Sequence, residues 1–381
     1  MAGMKTKRPS GGKTTIYDLA RSTGASPSTV SAALSGSWRS RRIKESTALE
    51  IQRLAVERGY TTNMQARGLR KARSGLMGMV VPAHFTRFFS SMSQIFEAHV
   101  RARGMCPVVV STLRDPGEER RTVETLISYA IDSLFIVGAT DPDSLSDICA
   151  AVNLKHVNVD LPGSKAPSVI SNNYSGARQL TREILKSMPS TNDPLRGRPY
   201  FIGGEVWDFA TAERIRAFKE VIAETYGEPA DPLIIAHKYD SDATAADIRD
   251  LCQRIGGLPT GLFINSAFAL EGALKYFSTM PADAFNNIVV GCYDYDPFAS
   301  FMHFPVIMVR QNVDLLIAEA FRIIDGDVTG APCLQIEPEL IRPRTLSDSP
   351  GETFHTGPPP KRSRGKRARG TSGQMSREEA R

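Results

Sequence analysis

The chain has 381 residues, of which 41% are hydrophobic and 23% charged, enough for two or three domains with buried cores. Its net charge of +6 hides three blocks: residues 1–74 hold 15 Lys+Arg against 4 Asp+Glu, residues 347–381 hold 8 against 4, and the stretch between holds 24 against 33. The basic start suits a polyanion and the acidic middle does not, while no apolar run reaches the length of a membrane span and no secretory pattern opens the chain, so a cytoplasmic address is expected.

Residues 1–13 are polar and basic and are expected to be disordered. Residues 14–60 read as a small all-helical unit. IYDLARSTG, PSTVSAALS and KESTALEIQRLAVERGY each carry helical rather than alternating periodicity. Ile16, Leu19, Ala20, Val30, Ala33 and Leu34 can share one apolar seam, Gly24 can close the turn between the first two helices, and Ser26 can cap the second with Pro27 at its first position. That second helix then presents Ser28 and Thr29 beside free backbone N–H groups, a surface suited to phosphate. A helix-turn-helix follows. Between it and the third helix lies SWRSRRI, in which Trp38 is expected to pin the loop to the helical core while Arg39, Arg41 and Arg42 face a polyanion.

Residues 61–74 form a short connection. From residue 75 to 346, apolar strand candidates alternate with amphipathic helices: 76–82, 107–112, 133–139, 156–160, 199–204, 232–237, 261–266 and 287–292. That alternation is the pattern of doubly wound parallel α/β sheets, and its length favours two lobes with a cleft between them. Residues 347–381, with GPPPKRSRGKRARGTSGQ at their centre, are expected to form a disordered basic tail.

The chemistry of catalysis is poorly represented. The six histidines show no HExxH spacing, GxSxG is missing, and GGEVWDF lacks the lysine of a phosphate loop. The five cysteines, Cys106, Cys149, Cys252, Cys292 and Cys333, are odd in number and never CxxC, so they are expected to be reduced, mostly buried thiols rather than metal ligands. No metal or cofactor is implied.

TIYDLARSTGASPSTVSAALSG resembles the DNA-binding headpiece of the lac repressor family, and GYTTNMQARGLRKARSGLMGMVVP resembles that family's hinge and first core strand. The resemblance implies a homodimeric transcriptional regulator, a repressor, that reads a pseudo-palindromic double-stranded operator. In it, Pro27, Ser28 and Ala32 occupy the base-reading face, and Thr15, Ser26, Thr29, Ser31, Lys44 and Thr47 match phosphate-contacting positions. Asn63, Ala66 and Leu69 match a hinge helix in which Leu69 would open a base step from the minor groove. Thr62 stands where the family usually has Pro, and Gly68 weakens that helix.

Family cores resemble periplasmic sugar-binding proteins, with an effector between two lobes. Asp160, Arg214, Tyr239, Asn265 and Asp294 match the pocket positions, each at a strand end or the start of the next helix, where open α/β sheets bind ligands. The long loop before the third helix and FPVIMVRQN are similar to the fructose repressor, or catabolite repressor-activator, branch, which implies a sugar or sugar phosphate. Leu161, however, stands where that branch has Arg after the Asp, and Ala83 where cores often have Asp, so a phosphosugar site would lack one positive charge. The alternatives are a stand-alone solute-binding protein, which the headpiece opposes, and an enzyme on the same core.

Overall fold

The computed structural model describes residues 14–60, 73–326 and 332–343. The first segment is three helices. Helix α1 (Ile16–Thr23) begins at a reciprocal cap: the Thr15 hydroxyl accepts from the Asp18 N–H at 3.3 Å, and the Asp18 carboxylate accepts from the Thr15 N–H at 3.0 Å. Gly24, at φ +65°, turns the chain into α2 (Pro27–Leu34), whose cap Ser26 accepts from the Thr29 N–H at 3.2 Å. Helix α3 (Glu45–Glu57) closes the unit. Leu19, Val30, Ala33, Ala48 and Ile51 are fully buried in its core. Trp38 packs half-buried against the same cluster, so the loop between α2 and α3 is anchored as expected.

The remaining segments build two six-stranded sheets. The chain runs β1 (Leu76–Val81), α4 (Arg87–Ala102), β2 (Cys106–Ser111), α5 (Pro116–Ser128), β3 (Ser133–Val137), α6 (Pro142–Ala151), β4 (Lys155–Val159) and β5 (Ser168–Ser171). It continues through α7 (Asn173–Ser187), β6 (Pro199–Ile202), α8 (Phe209–Tyr226), β7 (Ile234–Ile235), α9 (Ser241–Ile255), β8 (Gly261–Ile264) and α10 (Ala267–Phe277). It ends with β9 (Val289–Tyr293), β10 (Val306–Arg310), α11 (Val313–Asp325), β11 (Cys333–Ile336) and β12 (Glu339–Ile341).

The first sheet has the order β11-β5-β4-β3-β1-β2 and is parallel throughout; the second has the order β12-β10-β9-β8-β6-β7, with β12 antiparallel to β10. Helices cover both faces, which is why central strands such as SLFIV read as unbroken apolar runs and are buried at every position. Phe96, Phe135 and Phe321 interlock under the first sheet, and Phe201, Phe218 and Phe263 under the second.

The chain crosses between lobes three times: after β5, after β10 and after β11. Two crossings are tied together, the Asn172 N–H donating to the Ile336 carbonyl at 2.8 Å and its amide to Glu337 at 2.6 Å. All eight expected strands are present, the sixth shortened to two residues behind a 3-10 turn at Asp231–Leu233. Four more strands, β5, β10, β11 and β12, were not anticipated; SVIS, CLQI and ELI are too short and too polar at their ends to stand out as apolar runs. Cys149, Cys252 and Cys292 are buried thiols, so most of the five are buried, while Cys106 and Cys333 sit exposed at the starts of strands at opposite edges of the first sheet.

Candidate functional site

On the helical unit, the start of α2 gathers hydroxyls. Ser26 Oγ lies 2.7 Å from Ser28 Oγ and 2.9 Å from Thr29 Oγ1, and Ser26 and Ser28 are exposed. Pro27, Thr29 and Ser31 are half-buried beside them. Ala32 is not available: it is only 2% exposed, so the face left to meet a ligand is carried by Pro27 and Ser28. Thr15 is exposed with its hydroxyl already donating to Asp18 at 2.7 Å. Arg41, Arg42 and Lys44 are exposed, with Thr47 half-buried; Arg39 is exposed too but engaged, its guanidinium 4.8 Å from the Trp38 ring and 3.9 Å from Glu45. Asn63, Ala66 and Leu69, with Thr62 and Gly68, lie outside the described residues, as does the basic tail.

Between the lobes, at the C-terminal ends of the strands, lies a cavity of about 310 Å³. Four of the five expected residues, Asp160, Arg214, Tyr239 and Asp294, line it. Arg214 projects from the first turns of α8 and is 4% exposed. Its Nε donates to Asn173 Oδ1 at 2.9 Å, its Nη1 donates to the Asn265 carbonyl at 2.6 Å, and the guanidinium carbon lies 3.7 Å from the Tyr293 ring centre. The fork is thereby held flat. Asn265 does not line the cavity. It is fully buried behind Arg214, and its amide donates to Thr211 Oγ1 at 3.0 Å, so its role is to orient.

Asp294 accepts from the Gln311 amide at 2.9 Å and from the Ala267 N–H at 3.1 Å. Burial raises its carboxyl, with Arg214 opposing. Asp160 is 5% exposed, and burial pushes its carboxyl up to about 7 against the pull of the Arg114 guanidinium, with Asp208 adding to the rise. Its backbone holds φ +74°, a left-handed conformation that aspartate adopts more readily than most residues. Tyr239 Oη donates to Asp208 Oδ2 at 2.8 Å and lies 2.7 Å from Thr211 Oγ1.

Two wall residues escaped the sequence reading. Arg114 follows β2, and Asp208 caps α8 through Thr211, whose N–H it accepts at 3.0 Å. A charged side chain just beyond a parallel strand, a pattern that Asp160 also meets, would have pointed to Arg114; the Asp-x-x-Thr cap would have pointed to Asp208. Arg114 comes from the first lobe and Asp208 from the second, and they face each other at 3.6 Å. Together the walls hold two guanidinium groups and three carboxylates. Phe88, Phe89 and the edge-to-face pair Phe85 and Phe268, ring centres 5.2 Å apart, supply apolar surface. Convergent polar groups on apolar walls, at the C-terminal ends of strands, suit a small polyhydroxylated ligand. Among the described residues no group of three or more His, Cys, Asp or Glu is placed to hold a metal ion, and no helix is long and apolar enough to cross a membrane.

The chain is 43% identical to the ribitol operon repressor of Klebsiella aerogenes over 192 residues, half of this chain and 71% of that protein. It is 21% identical to the catabolite repressor/activator of Escherichia coli K12 over 310 residues, 78% of this chain and 87% of the relative. Among solved structures, the lac repressor dimer bound to operator and the anti-inducer ONPF superposes with a TM-score of 0.70 at 17% identity, covering 87% of this chain and 98% of that one. No family model matches the chain.

Proposed function

The chain belongs to the lac repressor family of transcriptional regulators, and on that premise we propose that it is a cytoplasmic, homodimeric repressor whose operator affinity is set by a small polyhydroxylated effector, a sugar or sugar derivative, held between its lobes. One observation carries this: a single chain joins a helix-turn-helix, whose second helix presents Ser26, Ser28 and Thr29 at its N-terminus, to a two-lobed cleft in which Arg214 faces Asp160 and Asp294. Two headpieces with Pro27, Ser28, Ser31, Thr47 and Lys44 at the DNA would read two half-sites, and Asn63, Ala66 and Leu69 would engage the centre of the operator. An effector that draws the lobes together would alter the hinge at residue 61–74 and lower operator affinity by about 1–3 kcal/mol. The name of the relative at 43% identity, a ribitol operon repressor, supports a polyhydroxylated effector.

The test selects bound fragments from genomic DNA with the full chain, then titrates the selected duplex by fluorescence anisotropy with and without sugars and sugar alcohols. Specific binding that one of these compounds weakens supports the proposal. Binding to no particular sequence, or binding that ignores every compound that stabilises the core in a thermal-shift screen, rejects it.

A further inference from the structure

Asp208 divides its two carboxylate oxygens unequally. Oδ2 accepts three hydrogen bonds, from the Thr211 N–H at 3.0 Å, the Thr211 hydroxyl at 3.0 Å and the Tyr239 hydroxyl at 2.8 Å. Oδ1, in a residue only 1% exposed, has no hydrogen-bond partner among the described residues. Opposite it, Arg114 Nη1 is also buried without a hydrogen-bond partner, 3.6 Å from Oδ1 and too far for a direct bond. The two residues hold these atoms there firmly. Arg114 and the preceding Leu113 both adopt left-handed backbone, at φ +57° and +54°, and the Arg114 guanidinium stacks 4.9 Å from the Tyr239 ring centre. Each forms only a long ion pair with the other, and a buried donor and acceptor without a hydrogen bond cost free energy that a group entering between them would recover.

The occupant must accept from Nη1–H and donate to Oδ1. A single hydroxyl does both, and an oxygen at ordinary hydrogen-bond length from each atom fits a 3.6 Å gap. A phosphate oxygen accepts from arginine but brings negative charge and no proton to the Asp208 carboxylate. Arg214, the other cation, gives its Nε and Nη1 protons to Asn173 and Asn265 and stacks on Tyr293, so only its Nη2 is left for a ligand. We propose that Arg114 and Asp208 form a hydroxyl-reading subsite that spans the two lobes, selects an uncharged polyol or sugar as effector and rejects its phosphate ester. The inference rests on the assignment of the cleft as the effector site.

The experiment measures, by isothermal titration of the full chain, the affinity for ribitol, xylitol, arabinitol and ribose, each beside its 5-phosphate. The free compound that binds best should bind at least about tenfold tighter than its ester, the discrimination that one hydrogen bond to a charged group supplies. Asp208→Asn keeps the helix cap and turns the free oxygen into an amide donor, so the best polyol should lose about tenfold and the ester should gain. Arg114→Gln should weaken the polyol without rescuing the ester. Wild-type protein that binds the ester as tightly as the free compound, or an Asp208→Asn variant with an unchanged ratio, overturns the subsite. Failure of the cleft assignment looks different: the compounds bind, but Arg214→Met leaves their affinities unchanged, or none of them binds at all.

Discussion

The Arg214 guanidinium lies over the Tyr293 ring at 3.7 Å, between a ring that confines it from one side and two asparagines that accept its Nε and Nη1 protons. A lysine cannot reproduce this arrangement, because an ammonium has neither the plane that stacks nor the fork that reaches both acceptors. Arg214→Lys and Arg214→Met should both abolish the response of operator binding to effector while operator affinity itself stays within about twofold, as read by anisotropy. Both should destabilise the core, since each buried acceptor left without a donor costs about 1–3 kcal/mol. A variant with full effector response and an unchanged melting temperature contradicts the role assigned to Arg214.

Asp160 makes the stability of the core depend on pH. Its carboxyl is raised from 3.8 to about 7 in the folded chain, so between those values the native state holds a proton that the unfolded state has lost. Stability is therefore greatest on the acid side of that window as far as this group is concerned, and it falls as pH rises through about 7, by an amount on the order of a few kcal/mol. Asp160→Asn should remove this component and raise the melting temperature at pH 8 relative to wild type, with little change at pH 4. Asparagine, like aspartate, tolerates the left-handed backbone at φ +74°, whereas Asp160→Ala should add about 1 kcal/mol of strain. Equal pH profiles for wild type and Asp160→Asn exclude the carboxyl as the source.

Ser26 separates folding from DNA contact. Its hydroxyl caps α2 through the Thr29 N–H, so Ser26→Ala should cost about 1 kcal/mol of headpiece stability. Ser26→Asp keeps the cap and favours the helix dipole, yet sets a carboxylate where a phosphate is expected. Stability should be held while operator affinity falls by more than about tenfold. If Ser26→Asp binds the operator as well as wild type, Ser26 does not face phosphate.

Much of this architecture is legible in the chain itself, and the parts that are not share physical reasons. The helix-turn-helix could be placed from Gly24, Ser26 and Pro27, because backbone chirality and capping restrict such positions to few residue types. Asp160, Arg214 and Asp294 were legible through the family resemblance, and Asp160 and Asp294 also because strand ends are marked by the buried runs before them. Arg114 also follows a strand, but its pairing with Asp208 was not legible, because it requires two loops 94 positions apart to meet across the cleft. Asn265 looked like a wall residue but supports one, a distinction that depends on which way Arg214 lies over it. Ala32 likewise falls on the reading face by alignment and against the protein by packing. The unanticipated strands β10, β11 and β12 return the chain between lobes, and their pairing is set by tertiary contact rather than by local pattern.

The loop arginines should contribute unequally to DNA binding. Arg39 already stacks on Trp38 and pairs with Glu45, whereas among the described residues Arg41 and Arg42 have no ion-pair partner. Arg42 also adopts φ +55°, which turns the chain into α3 and fixes where its side chain emerges. Each arginine that neutralises a phosphate steepens the dependence of log affinity on log salt by about 0.9. Arg41→Ala with Arg42→Ala should therefore flatten the slope by about 1.8 per headpiece, and adding Arg39→Ala should change it by less than one further unit. The measurement is operator affinity over a salt series from 50 to 200 mM, with melting temperature as the control for folding. Arg39→Ala alone should lower that temperature slightly, because the guanidinium covers part of the tryptophan that pins the loop. A slope unchanged in the double variant places these arginines away from the DNA.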